Sequence, residues 1–402
     1  MAIQRRAKSM GRNEQESVGR RPLKAGSASG VTNLAGSGRR PRLETERICL
    51  YRPEHAGDWT YCHHPHLGRF KGRWYAMWSN APAHEDDAGQ RVMIAASDDF
   101  RTWSPPRPLV DSMPGKHAPA VLTAAGFHEH GETLVAYFGK YEYEPDQLEN
   151  GSRKPGDRGH TGTGLYAMVT SDGVEWRGPI DLRLPLVPNH GPQRTTSGRL
   201  ILSGNVLFPF TDDPAGLSGW RLAGICPETA DETVRDDSEA IHIWKKSAGW
   251  PVLLCEGSFY QTKDGVLHML LRSNTERLWV TRSEDDGESW SAPKPTDFTD
   301  NASKFHFGRL PDGRYYYVGC PDPEPRWIRN PLVLSLSGDG AVFDRHYVLG
   351  DDRYAIRYPG MCKGGDYGYP HTRFEDGYLH VIYSAGKESI YVLRTAVDHK
   401  EG

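Results

Sequence analysis

The 402-residue sequence lacks any apolar run long enough to span a membrane. It also lacks the apolar spacing of long amphipathic helices. Cysteine is scarce, and the six residues are scattered without a C-x-x-C pair, which favours reduced core thiols over a zinc cluster or a disulfide framework. They are Cys49, Cys62, Cys226, Cys255, Cys320 and Cys362. These absences predict a protein built from short elements, with no membrane partner.

The first 42 residues are poor in apolar side chains and rich in Arg, Gly and Ser, a composition typical of disorder. They hold ten Lys or Arg and two Glu, so this segment carries +8 and the remainder about −11 of the net charge of −3. The segment has no apolar core of a secretory signal. We interpret 1–42 as a disordered basic tail, or as a start assigned too early, in preference to a nucleic-acid-binding tail. The expected location is cytoplasmic, or secreted or periplasmic if translation starts elsewhere.

A polar turn closed by an aromatic residue occurs four times, each time after an apolar run. The copies are Ser97–Trp103, Ser171–Trp176, Ser283–Trp290 and Ser337–Phe343. Recurrence of this kind is typical of repeat architectures. From Trp290 to Phe343 is one unit of roughly 50 residues, the length of one four-stranded propeller blade. The step from Trp176 to Trp290 is about twice as long, which indicates one blade without the phrase.

Short runs rich in aromatic and β-branched residues support this interpretation. Most follow a Gly turn such as Asp264-Gly265, Asp312-Gly313 or Asp376-Gly377, which is typical of hairpins. A Gly-, Pro- and charge-rich stretch over 141–163 indicates an inserted loop. We therefore predict an all-β fold, a six-bladed β-propeller of four-stranded antiparallel blades, as one domain over 43–398. Seven blades are the alternative.

The phrase Ser-x-Asp-x-Gly-x-Ser/Thr-Trp, which Ser283–Trp290 follows closely, resembles the Asp-box or BNR repeat of sialidase-like β-propellers. The resemblance covers about residues 45–395 and is specific for the fold rather than for the function. By its matching motifs, it implies site residues Glu256 and Arg272, then Arg329. A Gly-Tyr-Pro context resembles that of the family's tyrosine nucleophile and implies Tyr369. The stretch between the first hairpin and the first Asp-box implies Asp86 or Asp87 as acid/base.

The sequence departs from the sialidases at the first arginine of their three-arginine clamp, where it has His63 and His64. This His-His pair, together with Arg and Tyr, is more similar to propeller-fold polysaccharide lyases that act on rhamnose–glucuronic acid glycans. In β-elimination, a cation neutralises the uronate carboxylate, a base removes the C5 proton and an acid protonates the leaving oxygen. The residues suited to these roles are Arg272 and Arg329, His63 and His64, and Tyr369 with His371.

A retaining glycosidase needs a nucleophile, a base that activates it and a separate acid. Tyr369, Glu256 and Asp86 or Asp87 suit those roles equally. His117 and His190 occupy comparable blade-entry positions, and we predict that both contact substrate.

Structural roles compete with each of these interpretations. Arg272, Arg329 and Glu256 suit ion pairs between blades, and Tyr369 suits plain packing. His63, His64 and His66 suit a metal set completed by His84 or His117, although their spacing matches no known zinc motif. The sequence indicates no required cofactor. Whether a Ca²⁺ or Zn²⁺ ion has a structural role in the channel is left open.

We therefore expect a carbohydrate-active enzyme that cleaves an anionic, uronic-acid-containing glycan by β-elimination. The first alternative is a glycoside hydrolase of the sialidase or rhamnosidase type. The second is a non-catalytic glycan-binding propeller.

Overall fold

The protein is described here from a computed structural model, which describes residues 30–33, 40–155, 159–225, 239–241 and 252–397. Antiparallel β-strands dominate these residues, so the all-β prediction is confirmed. Within the described ranges, no helix has both the length and the apolar character needed to cross a membrane.

The first two sheets follow two N-terminal strands, β1 (Thr32–Asn33) and β2 (Glu46–Tyr51). Sheet 1 contains β3 (Tyr61–Phe70), β4 (Arg73–Ala81), β5 (Arg91–Ser97) and β6 (Arg107–Val110). Sheet 2 begins with β7 (Val121–His130) and β8 (Thr133–Glu142). The predicted insertion then forms a 3₁₀ turn (Pro145–Gln147) and a small hairpin, β9 (Leu148–Glu149) and β10 (Ser152–Arg153). β11 (Thr161–Thr170) and β12 (Arg177–Asp181) complete sheet 2.

Four further sheets follow in chain order. Sheet 3 has β13 (Gln193–Arg194), β14 (Leu200–Ile201) and β15 (Phe210–Thr211). Sheet 4 has β16 (Leu254–Gln261), β17 (Leu267–Ser273), β18 (Arg277–Ser283) and β19 (Lys294–Thr299). Sheet 5 has β20 (His306–Arg309), β21 (Tyr315–Gly319), β22 (Leu332–Ser337) and β24 (Arg345–Gly350), with β23 (Val342–Phe343) before β24. Sheet 6 has β25 (Gly368–Glu375), β26 (Tyr378–Ala385) and β27 (Ser389–Ala396).

Apolar clusters join each sheet to the next. Tyr75 and Phe138 share a cluster between sheets 1 and 2, and comparable clusters continue through sheets 3, 4, 5 and 6. A further cluster joins Val392 of sheet 6 to Trp78 of sheet 1. The packing therefore runs from the first sheet to the last and back to the first, as in a β-propeller.

The sixth sheet is completed from the other end of the chain. β2 pairs antiparallel with β27, with Glu46 opposite Arg394 and Ile48 opposite Val392. Farther upstream, β1 pairs with β23 and buries Val31, so residues 30–33 of the predicted tail belong to the fold. Most of the remaining tail prediction falls on residues outside the described ranges.

The four repeated phrases form turns between the third and fourth strands of sheets 1, 2, 4 and 5. In each turn the carboxylate of one Asp accepts hydrogen bonds from one or two backbone N–H groups. It also accepts a hydrogen bond from the hydroxyl group of the residue two positions earlier. In the second copy that hydroxyl belongs to Thr170 rather than to Ser171. Such side-chain bonds replace the partners that a tight turn denies its backbone.

A fifth turn of the same type occurs in sheet 3. This sheet lies between Trp176 and Trp290, where the sequence predicted a blade without the repeated phrase. Asp213 accepts the backbone N–H groups of Ala215, Leu217 and Ser218. The indole of Trp220 donates to the carbonyl of Gly216, as that of Trp290 does to the carbonyl of Gly287. The longer spacing between its aspartate and its tryptophan hides this copy from the motif.

Candidate active site

A cavity of about 610 Å³ is lined by residues of sheets 1, 2, 4 and 6 and of the loops beside them. Five residues singled out from the sequence border it along with His64, and they come from several separate segments of the chain. They are Asp86, Glu256, Arg272, Arg329 and Tyr369. The fold thus brings together most of the predicted catalytic set.

Tyr369, Glu256 and Arg272 form one hydrogen-bonded group within this cavity. The Tyr369 hydroxyl donates to one carboxylate oxygen of Glu256, and Arg272 Nη1 donates to the other at 2.6 Å. The same Nη1 lies 3.2 Å from the tyrosine oxygen. Burial raises the pKa of Glu256, but the Arg272 charge outweighs it and holds that pKa below its ordinary value. Burial and the adjacent carboxylate raise the pKa of Tyr369 far above its ordinary value.

Two further cations lie over the phenol ring. The guanidinium carbon of Arg329 is 5.3 Å from the ring centroid of Tyr369, and Lys304 Nζ is 5.4 Å from it. Arg329 is 5% exposed, and its Nε and Nη1 find no hydrogen-bond partner among the described residues. Buried guanidinium groups are normally paired, so these two nitrogens are an exception among the described residues.

The histidine pair also lies beside Tyr369. The ring of His63 packs 3.9 Å from that of Tyr369, and its Nδ1 lies 2.6 Å from Ser384 Oγ. His64 lines the cavity, with its Nδ1 3.1 Å from Ser79 Oγ. Burial lowers the pKa of His64 to about 3, so its ring is neutral. Of the pair, His64 is placed to meet a ligand and His63 to support Tyr369.

Asp86 and its neighbour Glu85 differ in the direction of their pKa shifts. Burial raises the pKa of Glu85, but Lys387 Nζ at 2.6 Å outweighs it and lowers that pKa to about 2. Burial and the Glu85 charge raise the pKa of Asp86 to about 6. Arg153 stands 3.7 Å from Asp86. Two adjacent carboxyl groups with separated pKa values suit an acid/base role for the higher one.

Five site residues have a left-handed backbone conformation, which residues other than glycine rarely adopt. They are His64, Asp86, Glu256, Arg329 and Tyr369, with φ of 52°, 60°, 53°, 54° and 53°. Three of them lie in bulges of β3, β16 and β25, where the strand register shifts. Bulges re-aim side chains, and strained conformations cluster at functional sites.

Four predicted site residues lie away from this cavity. The carboxylate of Asp87 accepts the backbone N–H groups of Ala83 and His84 within its own turn. His117 pairs with Glu144 at 3.5 Å. His190 and His371 meet each other elsewhere, with ring centroids 5.6 Å apart.

Other residues of the cavity escaped sequence reasoning. Lys304, Lys387 and Glu85 face it from loops or strand ends, and no local motif marks them. Trp327 is 51% exposed at the cavity and lies 5.7 Å from the Arg272 guanidinium. The sequence marks Trp327 only by its place between Pro325 and Pro331, and its exposure becomes evident in the structure.

Comparison with known proteins gives the family. The profile of the BNR repeat-like domain matches residues 72–381, and the chain belongs to this family. Among curated proteins, none matches the sequence.

Solved structures give the fold. A protein of unknown function from Dyadobacter fermentans is similar with a TM-score of 0.61 and 18% identity, over 88% of this chain and 98% of that one. A sialidase matches with a TM-score of 0.60 and 18% identity, over 91% of this chain and 35% of its own. Trypanosoma rangeli sialidase in complex with 2,3-difluorosialic acid, a covalent intermediate, matches with a TM-score of 0.60 and 13% identity, over 87% of this chain and 59% of its own. The predicted sialidase-like fold is confirmed, and the chain spans about a third to three fifths of these sialidases.

Proposed function

We propose that the protein is a retaining glycoside hydrolase that acts on an anionic sugar. The observation that carries this proposal is the hydrogen-bonded group of Tyr369, Glu256 and Arg272 in the cavity. A phenol that donates to a buried carboxylate has its proton acceptor already in place, which is what a tyrosine nucleophile requires. Tyrosine nucleophiles are known in sialidases.

In the first step the Tyr369 oxygen attacks the anomeric carbon as its proton moves to Glu256. The glycosidic C–O bond breaks, and Asp86 gives its proton to the leaving oxygen. In the second step a water attacks the anomeric carbon and Asp86 takes the water's proton. The bond between sugar and Tyr369 breaks, and the proton on Glu256 returns to the phenol oxygen.

Charge around the cavity supports an anionic substrate. Its lining includes six cationic side chains against three carboxyl groups, and two nitrogens of Arg329 lack a hydrogen-bond partner among the described residues. The cations are Arg153, Arg272, Lys304, Arg329, Lys363 and Lys387. We infer that a carboxylate of the sugar binds beside Arg329.

β-Elimination from a uronic acid is the second candidate, and the neutral ring of His64 at the cavity favours it. In that reaction Arg329 neutralises the uronate carboxylate, and His64 takes the C5 proton. The C4–O bond then breaks with formation of a C4=C5 double bond, and Asp86 or Tyr369 protonates the leaving oxygen.

One assay separates the two reactions. The full chain is incubated with sialyl-oligosaccharides and with ulvan, gum arabic and pectin fragments, while reducing ends and ultraviolet absorbance are followed. Hydrolysis gives reducing ends without the absorbance of an unsaturated uronate, whereas elimination gives both. We expect hydrolysis, lost in Tyr369→Phe and retained in His64→Gln and in the surface control Tyr378→Phe. Binding without turnover would instead support a glycan-binding propeller.

We also propose that sheets 1 to 6 are the six blades of one propeller. The continuous apolar clusters and the pairing of β2 with β27 support this count. An experimental structure with a seventh blade would overturn it.

A further inference from the structure

Three buried histidines and the half-buried His371 meet away from the active-site cavity. His66 lies on β3, His190 before β13, His306 on β20 and His371 on β25. The ring centroids of His66 and His371 are 5.2 Å apart, and those of His66 and His190 are 6.1 Å apart. Nitrogen atoms of His66, His190 and His371 lie within 4.8 Å of one another.

Two of these rings have nitrogens without a partner. Neither ring nitrogen of His66, which is fully buried, has a hydrogen bond to any described residue, and the same holds for Nδ1 of His190. A buried polar atom without a partner is costly, so each such atom calls for a bound group. Three imidazoles around one point suit a transition-metal cation better than water alone.

The surroundings orient the rings for this role. His190 Nε2 lies 3.0 Å from the carbonyl oxygen of Phe305, which fixes the proton on Nε2 and leaves the lone pair of Nδ1 free. A carbonyl that holds the second nitrogen is a common outer partner of metal-bound histidine. His371 accepts the backbone N–H of Leu67 at 3.2 Å, a long bond that metal binding through Nδ1 would replace.

We propose that His66, His190 and His371 bind one divalent transition-metal ion, Zn²⁺ in the first instance. The ion would link sheets 1 and 6 to the segment that enters sheet 3. This set differs from the one that the sequence suggested, because His84 accepts the backbone N–H of Met361 and His117 pairs with Glu144. A second cavity of about 390 Å³, lined in part by His306 and His371, gives the ion a route of entry.

Lys304 and Arg373 are nearby cations that oppose the ion. The ammonium group of Lys304 donates to the carbonyl of Asn189, next to His190. Burial lowers the pKa of Lys304 to about 7.

The test strips the full chain with a chelator and titrates it with Zn²⁺, with bound zinc measured by mass spectrometry. We expect one zinc per chain, with affinity reduced about tenfold or more in His66→Gln and in His190→Gln. The matched control His380→Gln replaces a buried histidine that packs 4.3 Å from Trp74, and it keeps the wild-type affinity. Less than one zinc per wild-type chain, or undiminished binding by His66→Gln, overturns the proposal.

A second measurement applies if these variants do not fold. Wild-type protein loaded with Co²⁺ is expected to show the d–d absorption of a four-coordinate site with three imidazole nitrogens and one water. Thiolate charge-transfer bands would place the ion on exposed cysteines such as Cys49 and Cys362, and that result overturns the proposal. Metal content does not depend on turnover, so this outcome is independent of the proposed hydrolase activity.

Discussion

At the scale of single residues, the environment of Tyr369 determines what the site can do. Its high pKa means that a free phenolate is not available near neutral pH, so attack depends on Glu256 as a proton acceptor. Arg272 orients that carboxylate and stabilises its charge. The three residues act as one unit, and a change in any of them affects the nucleophile.

Replacing Glu256 by Gln keeps the shape of the side chain and removes its basicity. We expect kcat to fall by about 10²–10⁴, the usual effect of losing a general base. Steady-state kinetics would measure this fall in kcat, on whichever substrate is cleaved in the assay described under Proposed function. The control Glu284→Gln changes an exposed carboxyl group of an Asp-box turn and leaves kcat unchanged. A Glu256→Gln enzyme with wild-type kcat would contradict the nucleophile assignment.

Asp300 gives a prediction about pH. Burial raises the pKa of Asp300 to about 7 from an ordinary 3.8. The charges of Arg272 and Arg329 lower this pKa, and the charge of Glu256 raises it slightly. The folded state therefore holds a proton that the unfolded state releases between about pH 4 and 7. The free energy of unfolding falls as the pH rises through that range, by on the order of 4 kcal/mol.

The measurement is urea denaturation over a pH series. Asp300→Asn is expected to flatten the decline between pH 4 and 7, since an amide does not titrate. Asp297→Asn, which changes an exposed carboxyl group, should leave it intact. An unchanged slope in Asp300→Asn would show that other groups cause the decline.

At the scale of elements, the Asp-box turns hold the sheets together from outside the site. Gly287, with φ of +92°, lies so close to Ile201 that an added Cβ would come within 2.5 Å of its side chain. The third turn thus packs directly on sheet 3. Its aspartate, Asp285, accepts the backbone N–H of Ser289 at 2.9 Å and the Ser283 hydroxyl at 2.8 Å.

Asp285→Ala removes the carboxylate that accepts the Ser289 N–H and the Ser283 hydroxyl. We expect a loss of about 1–3 kcal/mol in the free energy of unfolding. Thermal or urea denaturation would measure it, with Glu284→Ala in the same turn as the neutral control. Equal stability of the two variants would mean that the turn tolerates loss of its aspartate.

Elements were the part of the structure that the sequence predicted best. Asp-boxes and Asp-Gly hairpins are local signals, and they located the sheets. The turn at Asp213 escaped because its spacing is longer. Lys304 and Lys387 escaped because only tertiary packing brings them to Tyr369 and Glu85. The meeting of His66 and His190 has the same origin, since no sequence pattern relates the two residues.

At the scale of the whole molecule, β2 is the strand that completes sheet 6, and sheet 6 packs against sheet 1. Leu50 of β2 is buried in the cluster that joins sheets 6 and 1, and burial of such a side chain is worth about 2 kcal/mol. A shortened chain that begins after Pro53 lacks β2. We expect its free energy of unfolding to be lower than that of the full chain by more than this amount. A chain that begins at Gly30 keeps β2 and is the control.

Rescue makes that prediction sharper. A peptide of residues 43–53 added to the shortened chain should pair with β27 and raise its melting temperature, since an open sheet edge accepts a matching strand. A scrambled peptide should have no effect. If the shortened chain melts at the temperature of the control, β2 is dispensable for closure.

The pairing of β2 with β27 also fixes when folding can finish. Glu46 and Arg394, which bond at 2.8 Å, are separated by 348 positions. The ribosome makes β2 early, and this strand must wait for nearly the whole chain before its partner exists. Earlier sheets can form during synthesis, but the sixth can be completed only after β27 has left the ribosome. Until then β2 is an unpaired strand, and we expect the nascent chain to depend on chaperones at that stage more than at any other.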